Sequence, residues 1–291
     1  MSASPMRSLP QPGPRAAERE AAVPCVAYRV TLRLRAGLSL NAAVTTALAE
    51  LGFLSGYVDL RGVALAPLRY VTPAVAPDAT HAAWYSATFA PAGMATIEHA
   101  GAIVGRRDDA PFLHCHGVWR EADGHRGAGH VLPHETILAA DAEAEAWGID
   151  GAAFVARPDP ETNFTLFAAE ATAPVRPGPG QGGLPAFAGT VRPNGAFSPA
   201  VEFLCRRHGI PAARVHGVGS LVGVDFADGR HVPSYATEVL IRDGIVRPAG
   251  AARFEVVLAD MAGGVHAGVL AHESNPVCIT FELLAVGAAS P

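Results

Sequence analysis

Three histidines stand at spacings that suit a metal ion. His114 and His116 lie in Phe112-Leu-His-Cys-His-Gly-Val-Trp119, and His130 lies in Gly127-Ala-Gly-His-Val131. An apolar run with His-x-His reads as a β-strand, in which side chains two positions apart leave the same face. Their Cα atoms are then roughly 7 Å apart, close enough to converge on one ion. Asp123-Gly124 is a hairpin signal that returns the next strand, and His130 with it, alongside the pair. Three neutral imidazoles suit zinc or another divalent ion, and three protein ligands leave a fourth tetrahedral position for water or substrate. Cys115 alternates with the histidines, so it faces away and is excluded as a ligand.

Other polar residues are candidates for a pocket beside such an ion. Arg61, in Val58-Asp-Leu-Arg-Gly62, and Arg69 flank a glycine-containing turn. A guanidinium binds a carboxylate in two places at once, so either arginine suits a small organic acid as substrate. Glu98 and His134 are the candidate catalytic groups. A carboxylate near an ion-activated water is the usual proton acceptor. If the strand from His130 is regular, Leu132 and His134 share its face, which makes His134 a further ligand, an orienting group or a base. No GxSxG elbow, P-loop or GxGxxG-helix pattern occurs, which leaves serine hydrolase, nucleotide hydrolase and Rossmann readings unsupported.

The segment Gly101–Val131, with its His-x-His, Asp-Gly and Gly-x-Gly-His, resembles the PPC domain shared by plants and prokaryotes. The resemblance extends upstream through Arg29-Val-Thr-Leu-Arg-Leu34, a helix from about Ser39, and Gly56-Tyr-Val-Asp-Leu-Arg-Gly62. It covers most of residues 26–150. Gly127-Ala-Gly departs slightly from the usual Gly-Gly-His. The resemblance implies a compact α/β (α+β) fold with a mainly antiparallel sheet and flanking helices. It also implies a trimer and a metal bound through His114, His116 and His130. The plant members carry an Arg-Gly-Arg-Pro AT-hook for the DNA minor groove, and this chain has none.

Composition describes a globular chain. Of 291 residues, 49% are apolar and 17% charged, enough core for two domains. All 22 basic residues are arginines, against 27 acidic ones, and a net charge of -5 gives no general attraction to a phosphate backbone. No apolar run reaches the ~20 residues of a membrane span. Residues 1–24, rich in Pro, Ala and Arg, read as a disordered leader without a secretory signal. Four scattered cysteines without a CxxC pair fit reduced thiols and a cytoplasmic location.

The chain also repeats itself. Ala42-Ala-Val44, Gly52–Val58 and Gly62 can be laid on Pro199-Ala-Val201, Gly209–Val215 and Gly219 at a constant offset. Ala173–Gly183 is linker-like in composition. The expected organisation is a leader (1–24), a metal-binding PPC-like domain (25–171), a Pro/Gly linker (172–186) and a second, degenerate PPC-like domain (187–291). In the second copy Arg253, Glu255 and Val269 stand where the first has its histidines, so that copy is expected to be structural. Seven of the 12 histidines fall between His81 and His134.

The expected function is a zinc-type metal enzyme acting on a small organic acid by hydrolysis, hydration/elimination or isomerisation. A DNA-associated regulatory protein, or an oligomeric scaffold with a structural metal, is the alternative.

Overall fold

The computed structural model describes residues 7–176, 178 and 182–288. The first half carries β1 (Glu20–Leu34), α1 (Leu40–Glu50) and β2 (Gly56–Leu60). Four two-residue strands follow: β3 (Ala64–Leu65), β4 (Tyr70–Val71), β5 (Pro73–Ala74) and β6 (Trp84–Tyr85). Then come β7 (Ala95–Arg107), β8 (Ala110–Arg120), β9 (Arg126–Val131), β10 (Ala142–Asp150), β11 (Ala152–Pro158) and β12 (Thr165–Ala171). The second half opens with β13 (Leu184–Val191), α2 (Phe197–Arg207) and β14 (Ala213–Leu221). The short β15 (Val224–Asp225) and β16 (His231–Val232) lead to β17 (Thr237–Val246), β18 (Arg253–Asp260), β19 (Val265–Val269) and β20 (Val277–Gly287).

One sheet runs through both halves in the order β19-β18-β17-β14-β20-β13-β1-β10-β2-β7-β8-β9-β4. The long β1 makes this possible. Its start pairs with β13, Glu20 opposite Val191, and its remainder pairs with β10, Leu34 opposite Ala142. Outward from that junction one half presents β13, β20, β14, β17, β18 and β19 and the other β1, β10, β2, β7, β8, β9 and β4, so in each a strand from late in its half lies beside the first strand. The pairing is antiparallel except between β11 and β7. With 52% strand and 8% helix the protein is mainly β, which corrects the expected α/β class. The reason lies in the strand lengths: β1, β7, β8, β17 and β20 each run ten residues or more, against two eleven-residue helices.

The sheet curls so that its two halves face each other. Alternation along each strand sends one set of side chains inward and the other toward a helix. On β8, Leu113, Cys115 and Trp119 join the core under α1, while Val118 joins the inner core with Tyr57, Ile103, Leu240 and Leu284. A matching outer core under α2 holds Phe187, Phe197, Leu204 and Phe281. The helix α1 starts where the Ser39 side chain accepts a hydrogen bond from the Ala42 amide, and it ends before Gly52 at φ +79°.

The leader departs from expectation. Residues 1–6 lie outside the described residues, but Arg7 donates to Val222 and Ser274 carbonyls and pairs with Asp225 at 2.9 Å. Gln11 reaches the Cys278 carbonyl, and β1 has begun by Glu20. Arginine and backbone groups find partners here that composition does not reveal. Of the expected linker, residues 177 and 179–181 lie outside the described residues. The Val175 and Arg176 amides are held by Asp150, and β13 begins at Leu184. All four cysteines are buried and free. Among the described residues no helix is long and apolar enough to cross a membrane.

Candidate metal centre

The strand β8 projects His114 and His116 onto the inner face, and its hairpin with β9 sets His130 directly opposite His116. The turn closes through the Gly124 amide on the Glu121 carbonyl, with Gly124 at φ +89°. One ligand atom from each of the three rings lies within 4.8 Å of the others. Nε2 of His114 is 2.8 Å from Nε2 of His116, which is 3.2 Å from Nδ1 of His130. Around a tetrahedral zinc such nitrogens would stand about 3.3 Å apart.

The second half completes the cluster. Oε2 of Glu238, on β17, lies 2.9 Å from Nε2 of His116, and Oε2 of Glu282, on β20, lies 2.5 Å from Nδ1 of His114. Nδ1 of His116 donates to the Val239 carbonyl at 3.0 Å. A carbonyl only accepts, so that bond assigns the proton to Nδ1 and turns the Nε2 lone pair toward the centre. A proton on Nε2 would satisfy Glu238 and leave the nitrogens of His114 and His130 facing it. A divalent cation satisfies all of them, and this donor set therefore fits one.

Burial dominates the electrostatics. It pushes His114 down to about 3 and holds His130 well below the ordinary imidazole range. Both stay neutral, as ligation requires. For His116 burial is outweighed by the Glu238 carboxylate and by hydrogen bonds to Glu238 and Val239, and its pKa rises. Glu238 is buried too, yet His116 beside it keeps its carboxyl below the usual value. For Glu282 burial outweighs His116 and a backbone hydrogen bond from Phe167 and pushes it up to about 8. Glu282 and His114 share one short hydrogen bond. A cavity of about 60 Å³ opens onto His114, His116 and Glu238, walled by Trp84, Tyr85 and Phe164. The Tyr85 ring is 5.2 Å from that of His130.

The other expected site residues are elsewhere. Glu98 spends both carboxylate oxygens on Arg120 (2.7 Å) and Arg126 (2.8 Å), which lower its pKa and remove it as a base. His134 is exposed and stacked on Phe112, because β9 stops at Val131 and residues 133–135 turn back, Thr136 donating to the Leu132 carbonyl. The regular strand assumed for it is not formed. Arg61 is held by Asp59 and His99, and Arg69 donates to the Leu68 carbonyl. Neither arginine lines the histidine cavity. Cys115 does face away, into the core under α1.

Sequence reasoning missed Glu238 and Glu282. A signal existed for the second: Glu282 is the single charge in the apolar run Val277–Gly287 and is 1% exposed. A lone carboxylate in a fully buried strand needs a partner. Which partner depends on the curl of the sheet, and no local pattern encodes that.

No protein-family model matches the chain, and no curated protein does either. Solved structures are similar to about half of it. One is a plant- and prokaryote-conserved (PPC) protein from Pyrococcus horikoshii, at 14% identity and TM-score 0.40, covering 54% of this chain and 99% of that one. The PPC resemblance read from the motifs is thus met again among structures. A metal-containing protein from Archaeoglobus fulgidus is similar at 20% identity and TM-score 0.37, over 48% of this chain and 92% of its own. A candidate DNA-binding protein from Bacteroides thetaiotaomicron is similar at 15% identity and TM-score 0.36, over the same shares.

Proposed function

We propose that the protein is a divalent-metal enzyme, zinc being the ion best suited, that acts on a small organic acid by hydrolysis or hydration/elimination. The observation that supports this is the convergence of three imidazole nitrogens, with the Glu238 carboxylate beside them, at a cavity lined by His114, His116 and Glu238. A bound ion supplies Lewis acidity toward a carbonyl or carboxylate oxygen and toward water. His114, His116 and His130 hold it. Glu238, kept ionised, takes the proton of an attacking water or of the substrate, the role that Glu98 cannot fill. Glu282 and the Val239 carbonyl orient His114 and His116 through their Nδ1 atoms. Trp84, Tyr85 and Phe164 limit the cavity to a few atoms, which suits the reacting end of a small acid.

The test begins with elemental analysis. About one ion per chain in the wild type and none in His116→Ala supports the site, and an ion-free wild type overturns it. A panel of small carboxylic acids and their esters then tests turnover by the zinc-loaded protein. Turnover lost in Glu238→Gln, with the ion retained, supports the assigned base. Turnover equal to wild type removes it.

A DNA-associated role, the description attached to the Bacteroides protein, is the second reading. Retention on duplex DNA at physiological salt, with a steep salt dependence, would support it. The trimer implied by the resemblance belongs with either reading, and light scattering giving the mass of one chain would remove it. A structural ion in an oligomeric scaffold is the outcome if metal is present and the whole panel is inert.

A further inference from the structure

A second polar cluster lies in the inner layer, apart from the histidines. Where β2 and β10 face β14, β17 and the end of β20, the curled sheet leaves a cleft of about 670 Å³. A cavity of about 290 Å³ adjoins it and shares Tyr57, Asp59, Arg214 and His216. Small-molecule sites have about this size. Gly101 separates the cleft from the metal centre: it pairs with Asp59 on one side and His116 on the other, and Tyr57 and Leu240 pack over it.

Three observations describe what would occupy the cleft. Nε2 of His216 and Nδ1 of His99 are buried without a hydrogen-bond partner, and His99 is 3% exposed. Buried polar atoms are almost always paired, so the orphan on His216, which lines both the cleft and the adjoining cavity, and that on His99, which lines the cavity, mark a place for a ligand's polar group. The acids of the cleft and the adjoining cavity are engaged: Glu145 with Arg29 (2.9 Å), Asp59 with Arg61 (3.1 Å) and Asp243 with Arg214 (3.0 Å). Arg242 reaches Glu255, whereas Arg247 has no ion-pair partner among the described residues. The surplus charge is therefore positive and calls for an anion. The remaining walls, with Trp147, Leu184, Ile245 and Val286, are apolar or aromatic.

We propose that this cleft is a second ligand site, built for a small aromatic carboxylate whose acid group meets Arg247 and whose ring carries a polar group toward His216. His216 serves as a neutral hydrogen-bonding group, since burial pushes its pKa down to about 4. Its ring lies 4.8 Å from that of Tyr57, which holds the imidazole in place. The inference is independent of the metal reading.

The probe is 6-hydroxy-2-naphthoate, titrated calorimetrically into the full-length protein beside 2-naphthoate, which lacks the hydroxyl, and 2-naphthol, which lacks the acid. Saturation at one probe per chain is expected, with each deletion weakening binding about tenfold, as loss of one hydrogen bond of this kind does. Arg247 is exposed, so Arg247→Gln disturbs no core. It should weaken both acids about tenfold and leave 2-naphthol unchanged. His216→Phe keeps a ring packed against Tyr57 and should erase the advantage of the hydroxyl. Failure of the probe to saturate, or binding that neither variant alters, overturns the proposal. Loss of binding in chelator does so too, because it would put the probe at the histidines.

Discussion

Nδ1 of His114 lies 2.5 Å from Oε2 of Glu282, although 168 positions separate the two residues. The second half of the chain thereby reaches into the histidine cluster of the first. Its Glu238 and Glu282 contact His116 and His114, a contribution that the sequence reading did not include. Glu282→Gln keeps the shape and replaces the carboxyl that contacts Nδ1 of the His114 imidazole. Metal affinity should fall about 10–100-fold, measured by competition with a chromophoric chelator, while thermal unfolding stays cooperative. Unchanged affinity would remove Glu282 from the site.

Glu98 offers the converse case. Its carboxylate is part of a surface network with Arg120 and Arg126, and 30% of the side chain is exposed. Glu98→Gln should leave metal content at the wild-type level and change stability by about 1 kcal/mol or less. His134→Ala should behave in the same way. A drop in metal content in either variant would restore these residues to the site.

At Gly101 the two halves pack closely across the inner layer. A methyl group there would collide with the Tyr57 hydroxyl and lie 2.6 Å from Cδ1 of Leu240. Gly101→Ala should cost about 1–3 kcal/mol in urea denaturation. Combining it with Leu240→Ala should give a loss smaller than the sum of the two, because both act on one contact.

Asp159 governs acid stability away from the metal. Burial disfavours its charge, but hydrogen bonds from the Thr162 amide and hydroxyl and from Arg192 outweigh that and hold its pKa below 3.8. A depressed carboxylate stabilises the fold fully above its unfolded value and loses that contribution as pH falls through its folded value. Asp159→Asn should therefore be less stable than wild type by about 1.5–3 kcal/mol at neutral pH. The gap should narrow below about pH 3.8, as followed by denaturation at a series of pH values.

The sequence alone determined whatever depends on short-range periodicity. His-x-His on a strand, the Asp123-Gly124 turn and His130 opposite His116 all follow from side-chain alternation and hairpin register, and so does Cys115 facing away. The PPC resemblance implied a mainly antiparallel sheet and a helix from about Ser39, where α1 begins. His134 was misplaced because a strand was assumed to continue past Val131, where backbone hydrogen bonds close a turn instead. Arg61, Arg69 and Glu98 were assigned by residue type, but their partners Asp59, the Leu68 carbonyl, Arg120 and Arg126 are set by packing. Only the tertiary structure brought Glu238 and Glu282 to the histidines. Their placement depends on a sheet that runs through the β1–β13 junction and curls until its halves meet. That curl is decided by the burial of two inner apolar faces against each other, a collective free energy with no local sequence period.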